Sequence, residues 1–98
     1  MKIKPGVDLR EIKPEIVVAM MLCEPVVSKH TEFVVTSVCD GKHMPISKHY
    51  SGMAIDIRTR DIPPAMLKPC LEEIKQALGS QFDAILEGDH IHVEFDPK

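Results

Sequence analysis

The sequence is poor in aromatic residues and carries no excess of positive charge. Its 98 residues include three phenylalanines, one tyrosine and no tryptophan. A core must therefore be built from aliphatic side chains and methionine, and the length allows one such core, in a single domain spanning residues 1–98. The formal net charge is −3, and the basic residues do not cluster. This charge distribution argues against a nucleic-acid partner, because binding would require phosphates to be neutralised.

Paired cysteines and long apolar runs are also missing. Cys23, Cys39 and Cys70 are odd in number and form no CxxC pair, which excludes a disulfide framework and a thiolate zinc finger. We expect reduced thiols, with Cys23 and Cys70 on helical apolar stripes. The longest apolar run covers residues 16–23 and is too short to span a bilayer, and no signal-peptide pattern is present. We therefore expect a monomer synthesised in the cytoplasm, without membrane insertion.

The periodicity of apolar residues predicts two helices and four strands. Pro25 is expected to kink or end the first helix, and Pro69 to make the first turn of the second irregular. The first helix is expected to bury Ile16, Val17, Met20, Cys23 and Val27. The predicted order is a helix at 13–30, a strand at 32–38, a strand at 53–58, a helix at 62–80, and a hairpin at 82–96 that turns at Gly88–Asp89. This order indicates an α+β domain with a small, mainly antiparallel sheet and both helices on one side.

Two of the strands place ionisable residues on the face opposite their apolar residues. In the strand at 53–58 this face carries Ala54, Asp56 and Arg58, and in the last strand it carries His90, His92 and Glu94. If the strands share a sheet, Asp56 lies on the same exposed face as His92, and the loop that carries His49 can fold over that face. Catalytic zinc takes three protein ligands with nitrogen or oxygen donors and leaves a position for water. The sequence therefore predicts a zinc site formed by His49, Asp56 and His92.

A zinc hydrolase also needs a general base within hydrogen-bond reach of the attacking water. Asp89 lies in the predicted turn, three residues before His92, and is the first candidate. Glu87, which ends the preceding strand, is the second.

The segment "SKHYSGMAIDIR" at 47–58 matches the pattern S-x-H-x-x-G-x-A-x-D, and "DHIHVEF" follows near the end of the chain. Both resemble motifs of the zinc D-alanyl-D-alanine carboxypeptidases and phage L-alanyl-D-glutamate endopeptidases. The resemblance implies a hedgehog/D-Ala-D-Ala peptidase fold, with His49, Asp56 and His92 as zinc ligands and Asp89 as general acid/base. It also implies a zinc metallopeptidase that hydrolyses peptidoglycan stem peptides, as an endolysin does in degrading the cell wall.

The resemblance assigns supporting roles to further motif residues. Gly52 and Ala54 would keep bulk away from the metal and the substrate, and Ser47 would support the loop geometry. Two further assignments rest on the strand pattern and not on the resemblance. His90, which shares a face with His92, would donate a hydrogen bond to the tetrahedral intermediate. Glu94 would orient a metal ligand, or be a solvated residue at the edge of the site.

The chain departs from the family pattern in the segment "TSVCDGKH". Many relatives carry an arginine there that steadies the substrate carboxylate or the oxyanion, and Asp40 stands at about that position. Lys42, His43 or Arg58 would then supply the positive charge that binds substrate.

Two other functions remain open from the sequence. Two histidines and a carboxylate also suit the Fe(II) of non-haem oxygenases, although the spacing of seven between His49 and Asp56 and the small number of strands disfavour them. A non-catalytic binding module of the same fold, stabilised by zinc, is the second, and the presence of Asp89 disfavours it. Peptidoglycan lies outside the cytoplasm, so a lytic enzyme would reach it through a membrane lesion or in a virion, whereas a cytoplasmic enzyme would act on recycled wall peptides.

Overall fold

A sheet that carries both helices on one face forms the framework of the protein. The computed structural model describes residues 1–38 and 52–97. Within these ranges the elements, in chain order, are β1 (Lys2–Ile3), α1 (Pro14–Val27), β2 (Val34–Ser37), β3 (Ala54–Arg58), α2 (Pro64–Leu78), β4 (Phe82–Glu87) and β5 (His90–Phe95). The expected α+β class is confirmed.

The described strands form one sheet in the order β1-β2-β3-β5-β4. Every neighbouring pair is antiparallel except β1 and β2. The sequence did not predict β1, because two residues are too few to show an alternating pattern. It is held by backbone hydrogen bonds from Lys2 N–H to the Phe33 carbonyl (2.8 Å) and from Lys4 N–H to the Val35 carbonyl (2.9 Å).

One continuous core fills the space between the helices and the sheet. Alternate residues of β3 and β5 point into it, and the apolar sides of both helices pack against the same face of the sheet. Its fully buried members include Ile16, Cys23, Val27, Ile55, Ile57, Cys70, Ile74, Ile91 and Val93. The expectation that Val17 belongs to the buried stripe is wrong, because Val17 is 43% exposed. It lies about 100° around the helix from Ile16, which occupies the core position instead.

Both helices continue through their internal prolines. Of the two effects expected of Pro25, an end of α1 at that residue is not observed, because the helix runs on through Val26 and Val27, whose side chains are buried in the core. Pro69 lies inside α2, which is helical from Pro64, instead of distorting its first turn. Each proline ring faces solvent, so each costs a backbone hydrogen bond while the neighbouring apolar side chains keep their packing.

Neither helix of the described part is long and apolar enough to cross a membrane.

Candidate metal site

The site is built where the two central strands pair. In the antiparallel register of β3 and β5, Asp56 stands directly opposite His92. Their side chains share the sheet face that points away from the helices, and Asp56 Oδ1 lies 3.2 Å from His92 Nδ1. The prediction that both residues share one face of one sheet is therefore confirmed.

An irregularity in the sheet lies directly beside Asp56. The register between β2 and β3 shifts between Val35 and Ser37, so that Ser37 pairs with Asp56. The hydroxyl of Thr36, at the shift, donates to the main-chain carbonyl of Asp56 over 3.4 Å. Bulges of this kind bend a strand and redirect its side chains, and they recur next to functional sites. Thr36 was not singled out from the sequence, since a threonine in a β-branched run gives no signal of its own.

The face that carries Asp56 is not exposed at that point, contrary to expectation. Asp56 retains 7% of its accessible surface, and the side chain of His92 retains 13%. The hydrogen bond from His92 to the Asp56 carboxylate raises the pKa of the imidazole, against the opposing effect of burial, and the contact with Glu94 raises it further. In the metal-free protein the pair therefore stabilises a positive charge at this position.

The imidazole of His92 is held at both of its nitrogens. While Nδ1 faces Asp56, Nε2 lies 3.0 Å from Oε1 of Glu94, two residues along β5. The alternation of the strand places these two side chains on the same face. The ring is thus fixed between one carboxylate from each of two strands.

His90 is surrounded by carboxylates. Its Nδ1 lies 3.2 Å from Oδ1 of Asp89, and its Nε2 lies 3.7 Å from Oδ1 of Asp56 and 3.5 Å from Oε1 of Glu87. The contact with His90 lowers the pKa of the Asp89 carboxyl, so Asp89 is ionised at neutral pH. The Asp89 side chain is 89% exposed.

The turn that carries Asp89 is tied to the end of β3. Gly88 and Asp89 form the predicted tight turn between β4 and β5, with Glu87 and His90 paired on either side. The main-chain N–H of Thr59, just after β3, donates to the Asp89 carbonyl over 3.1 Å. The backbone of Asp89 therefore keeps a fixed position relative to the strand that supplies Asp56.

Several residues predicted for the site lie outside the described part of the chain. These are Lys42, His43, Ser47 and His49, together with Cys39. Arg58, the described candidate for binding a substrate carboxylate, stands opposite His90 in the β3–β5 register. It therefore lies at the end of the polar face that is nearest the Gly88–Asp89 turn.

Gly52 and Ala54 occupy tight positions, but for different reasons. Ala54 is fully buried and pairs with Glu94 across the strands, so its small side chain leaves room on the site face. Gly52 has a φ of +73°, and a Cβ there would lie 1.8 Å from the main-chain oxygen of Glu11. The N–H of Lys13 also donates to the Gly52 carbonyl over 3.1 Å. In the described part of the chain, glycine is therefore required at position 52 because the segment before α1 lies against it.

Asp56 and His92 have the spacing of two ligands that share one zinc ion. Two donor atoms that each lie about 2.0–2.1 Å from a tetrahedral zinc are about 3.3 Å apart, and the observed Oδ1–Nδ1 distance is 3.2 Å. The same spacing serves as a hydrogen bond when no ion is bound. A carboxylate oxygen and an imidazole nitrogen are both suitable zinc donors, so these two residues fit the predicted metal.

A second group of acidic residues lies beside the site. Asp83, Glu94 and Asp96 each offer one oxygen, and these atoms lie within 4.8 Å of one another; in the described ranges this is the one set of three possible ligands that meets that limit. This group was not predicted from the sequence, although counting back from the Gly88–Asp89 turn places Asp83 opposite Glu94. An all-oxygen set suits Ca²⁺ or Mg²⁺ better than zinc.

The two described cysteines take no part in the site. Cys23 and Cys70 are fully buried between the helices and the sheet. Burial raises the pKa of the Cys23 thiol to about 12 and also raises that of Cys70. Both thiols are therefore protonated near neutral pH and behave as small apolar side chains.

Comparison with protein-family models gives no match for this sequence, and comparison with curated proteins gives no significant relative.

Proposed function

We propose that the protein is a zinc-dependent peptidase that hydrolyses an amide bond in bacterial peptidoglycan stem peptides. The observation that carries the proposal is the pair formed by Asp56 and His92, with 3.2 Å between their donor atoms. The pairing of two central strands fixes both residues, so the two donors are presented together. The choice of substrate, a D-alanyl-D-alanine or an L-alanyl-D-glutamate bond, rests on the motif resemblance.

Asp56 and His92 would supply two of the three zinc ligands. The third is His49, which precedes Asp56 by seven positions in the motif. Three donors of this kind leave one coordination position for solvent or substrate, as hydrolysis requires. When bound, zinc polarises the scissile carbonyl and lowers the pKa of its water to about 7.

The remaining polar residues would move protons and bind charge. The ionised carboxylate of Asp89 accepts a proton from the attacking water and passes it to the leaving amine nitrogen. In its imidazolium form, His90 would donate from Nδ1 to that carboxylate, 3.2 Å away, and from Nε2 to the oxygen on which negative charge develops. Arg58, with Lys42 and His43 as further candidates, attracts the substrate carboxylate.

The proposal is tested by removing and restoring the metal. Protein dialysed against a chelator should lose the ability to release D-alanine or to open muropeptides, and zinc should restore it. Asp56→Asn should bind zinc more weakly and lose activity. Asp61→Asn, which changes an exposed aspartate beside Arg60, should retain both. A zinc-loaded protein that leaves every stem-peptide bond intact would overturn the peptidase proposal.

A non-catalytic binding module stabilised by zinc is the second candidate, and the exposure of Asp89 favours it. The Asp89 carboxylate is 89% exposed and faces His90, whereas a general base must reach the attacking water. Asp89→Asn separates the two functions. In a peptidase this variant keeps its zinc and loses turnover, whereas in a binding module it keeps both its zinc and its affinity for wall peptides, and the parent protein shows no turnover.

The identity of the metal separates zinc chemistry from that of non-haem iron. Elemental analysis of protein purified without added metal should give zinc in about equal molar amount to the chain, as one site with three protein ligands predicts. Iron in that position would favour the oxygenase alternative.

For a peptidase with this substrate, we propose either a phage-type lytic role, in which lysis or a virion delivers the enzyme to the wall, or a role on recycled wall peptides in the cytoplasm.

A further inference from the structure

We infer that Glu94 is a positioning residue that fixes the ring of His92 so that Nδ1 is the metal-binding atom. This inference rests on the proposed zinc site and adds to it the atom by which His92 binds and the residue that holds it. It starts from two distances at one imidazole: 3.2 Å from Nδ1 to Asp56 and 3.0 Å from Nε2 to Glu94.

A neutral imidazole cannot donate a hydrogen bond to both carboxylates. Such a ring has one N–H donor and one lone pair, whereas both of its neighbours are acceptors. A cation held by Asp56 and His92 would remove the conflict, because it would take up the lone pair of Nδ1. Nε2–H then donates to Glu94, and both nitrogens of the ring have a partner. A metal-binding histidine whose second nitrogen donates to a carboxylate is a recurring arrangement.

The position of Glu94 in the sheet suits this role. It lies two residues after His92 on β5, so both side chains project from the same face. Its cross-strand neighbour on β3 is Ala54, whose small buried side chain does not compete for the space between Glu94 and the ring. The carboxylate is partly shielded, with 22% of the side chain exposed, so water weakens its contact with His92 less than it would at a fully exposed pair.

Two substitutions separate the hydrogen bond from the charge. Glu94→Ala removes both, whereas Glu94→Gln removes the charge and keeps an oxygen that can accept from Nε2–H. Glu72→Gln is the matched control, because it makes the same Glu-to-Gln change at an exposed carboxylate that pairs with Lys75 on α2, outside the site. Zinc affinity is measured for each full-length variant by competition with a chromophoric chelator at constant pH.

Glu94→Ala is expected to weaken zinc binding roughly 10- to 100-fold, the usual effect of removing such a partner. Glu94→Gln should recover most of this loss, and Glu72→Gln should bind zinc as the parent does. Long-range ¹H–¹⁵N spectra of the zinc-loaded parent should show His92 protonated at Nε2 and bound through Nδ1. Binding through Nε2, or unchanged zinc affinity in Glu94→Ala, would overturn the inference.

Failure of this inference differs from failure of the proposed function. If the parent binds zinc and cleaves wall peptides while Glu94→Ala binds zinc equally well, only the role of Glu94 is refuted. If Glu94→Ala weakens zinc binding but the parent cleaves nothing, the role of Glu94 stands and the peptidase proposal falls. A parent protein without affinity for zinc refutes both. Thermal unfolding of the metal-free variants detects a purely structural role, which would lower stability without changing zinc affinity.

Discussion

Replacing Gly52 by alanine tests how the segment before α1 is joined to the strand that supplies Asp56. Gly52 has a φ of +73°, which alanine adopts only with strain. A Cβ at this position would lie 1.8 Å from the Glu11 carbonyl oxygen and 2.6 Å from its carbon. Both atoms belong to the main chain, so no side-chain rotation relieves the overlap and the backbone itself must move.

Three contributions set the expected loss of stability. The left-handed conformation costs alanine about 1–2 kcal/mol. Forcing an extra carbon against packed neighbours costs typically about 1–3 kcal/mol. Moving the Glu11 segment also strains the 3.1 Å hydrogen bond from Lys13 N–H to the Gly52 carbonyl, and losing that bond costs about 0.5–1.5 kcal/mol. Together they predict a decrease of about 2.5–6.5 kcal/mol in the free energy of unfolding, a large part of the total for a small domain.

Urea denaturation of the metal-free protein, followed by circular dichroism, measures this loss. Gly88→Ala is the control, since Gly88 also has a positive φ, +54°, but nothing lies within 4 Å of a Cβ there. The control should lose only the conformational part, about 1–2 kcal/mol. Equal losses in the two variants would refute the claim that contact with Glu11, in addition to φ, requires glycine at position 52.

Three further predictions concern the site and the core. The metal-free protein should lose stability as pH rises above about 6.5, because the pKa of His92 is higher in the folded than in the unfolded protein. The resulting stabilisation is complete below the pKa of the unfolded state and is lost as pH rises through the pKa of the folded state. The urea midpoints at pH 6 and pH 8 should therefore differ less in His92→Gln than in the parent. Ala54→Leu should cost about 1–3 kcal/mol of stability through overpacking and should also weaken zinc binding, measured by chelator competition. Cys23 and Cys70 should react with a thiol reagent in urea but not in the native state, because both are buried and protonated; rapid native labelling would contradict their placement.

The sequence predicted the positions of Asp56 and His92 because the alternation of apolar and polar residues along a strand determines them. Asp56 differs in parity from Ile55 and Ile57, and His92 from Ile91 and Val93, so burying the isoleucines and valines places the ionisable pair on the other face. The two-residue turn at Gly88–Asp89 then fixes the β4–β5 register. Alternation does not specify what covers a face, which is why the burial of Asp56 was missed.

Other differences arise where tertiary packing overrides a local preference. Proline disfavours the interior of a helix, yet α2 includes Pro69 because Cys70, Ile74 and Leu78 gain burial when the helix continues. The β1 strand depends on pairing with the distant β2 strand and carries no pattern of its own. The requirement for Gly52 depends on Glu11, a contact between segments far apart in the sequence. None of these effects can be recognised from a short stretch of sequence, because each depends on residues elsewhere in the chain.

The two faces of the central strands have separate roles, and this separation determines which substitutions at the site affect the packing of the core. Ile55, Ile57, Ile91 and Val93 supply the core from one face, while Asp56 and His92 meet on the other. Substitutions among the polar residues therefore leave the helix–sheet packing intact, provided that no unpaired charge is left buried. Asp56, with 7% of its surface accessible, is the residue for which that proviso matters most, because replacing His92 would remove a partner that lies 3.2 Å from its carboxylate. The fold thus favours a positive partner at this point, and a divalent metal ion meets that need at a pH where histidine alone does not.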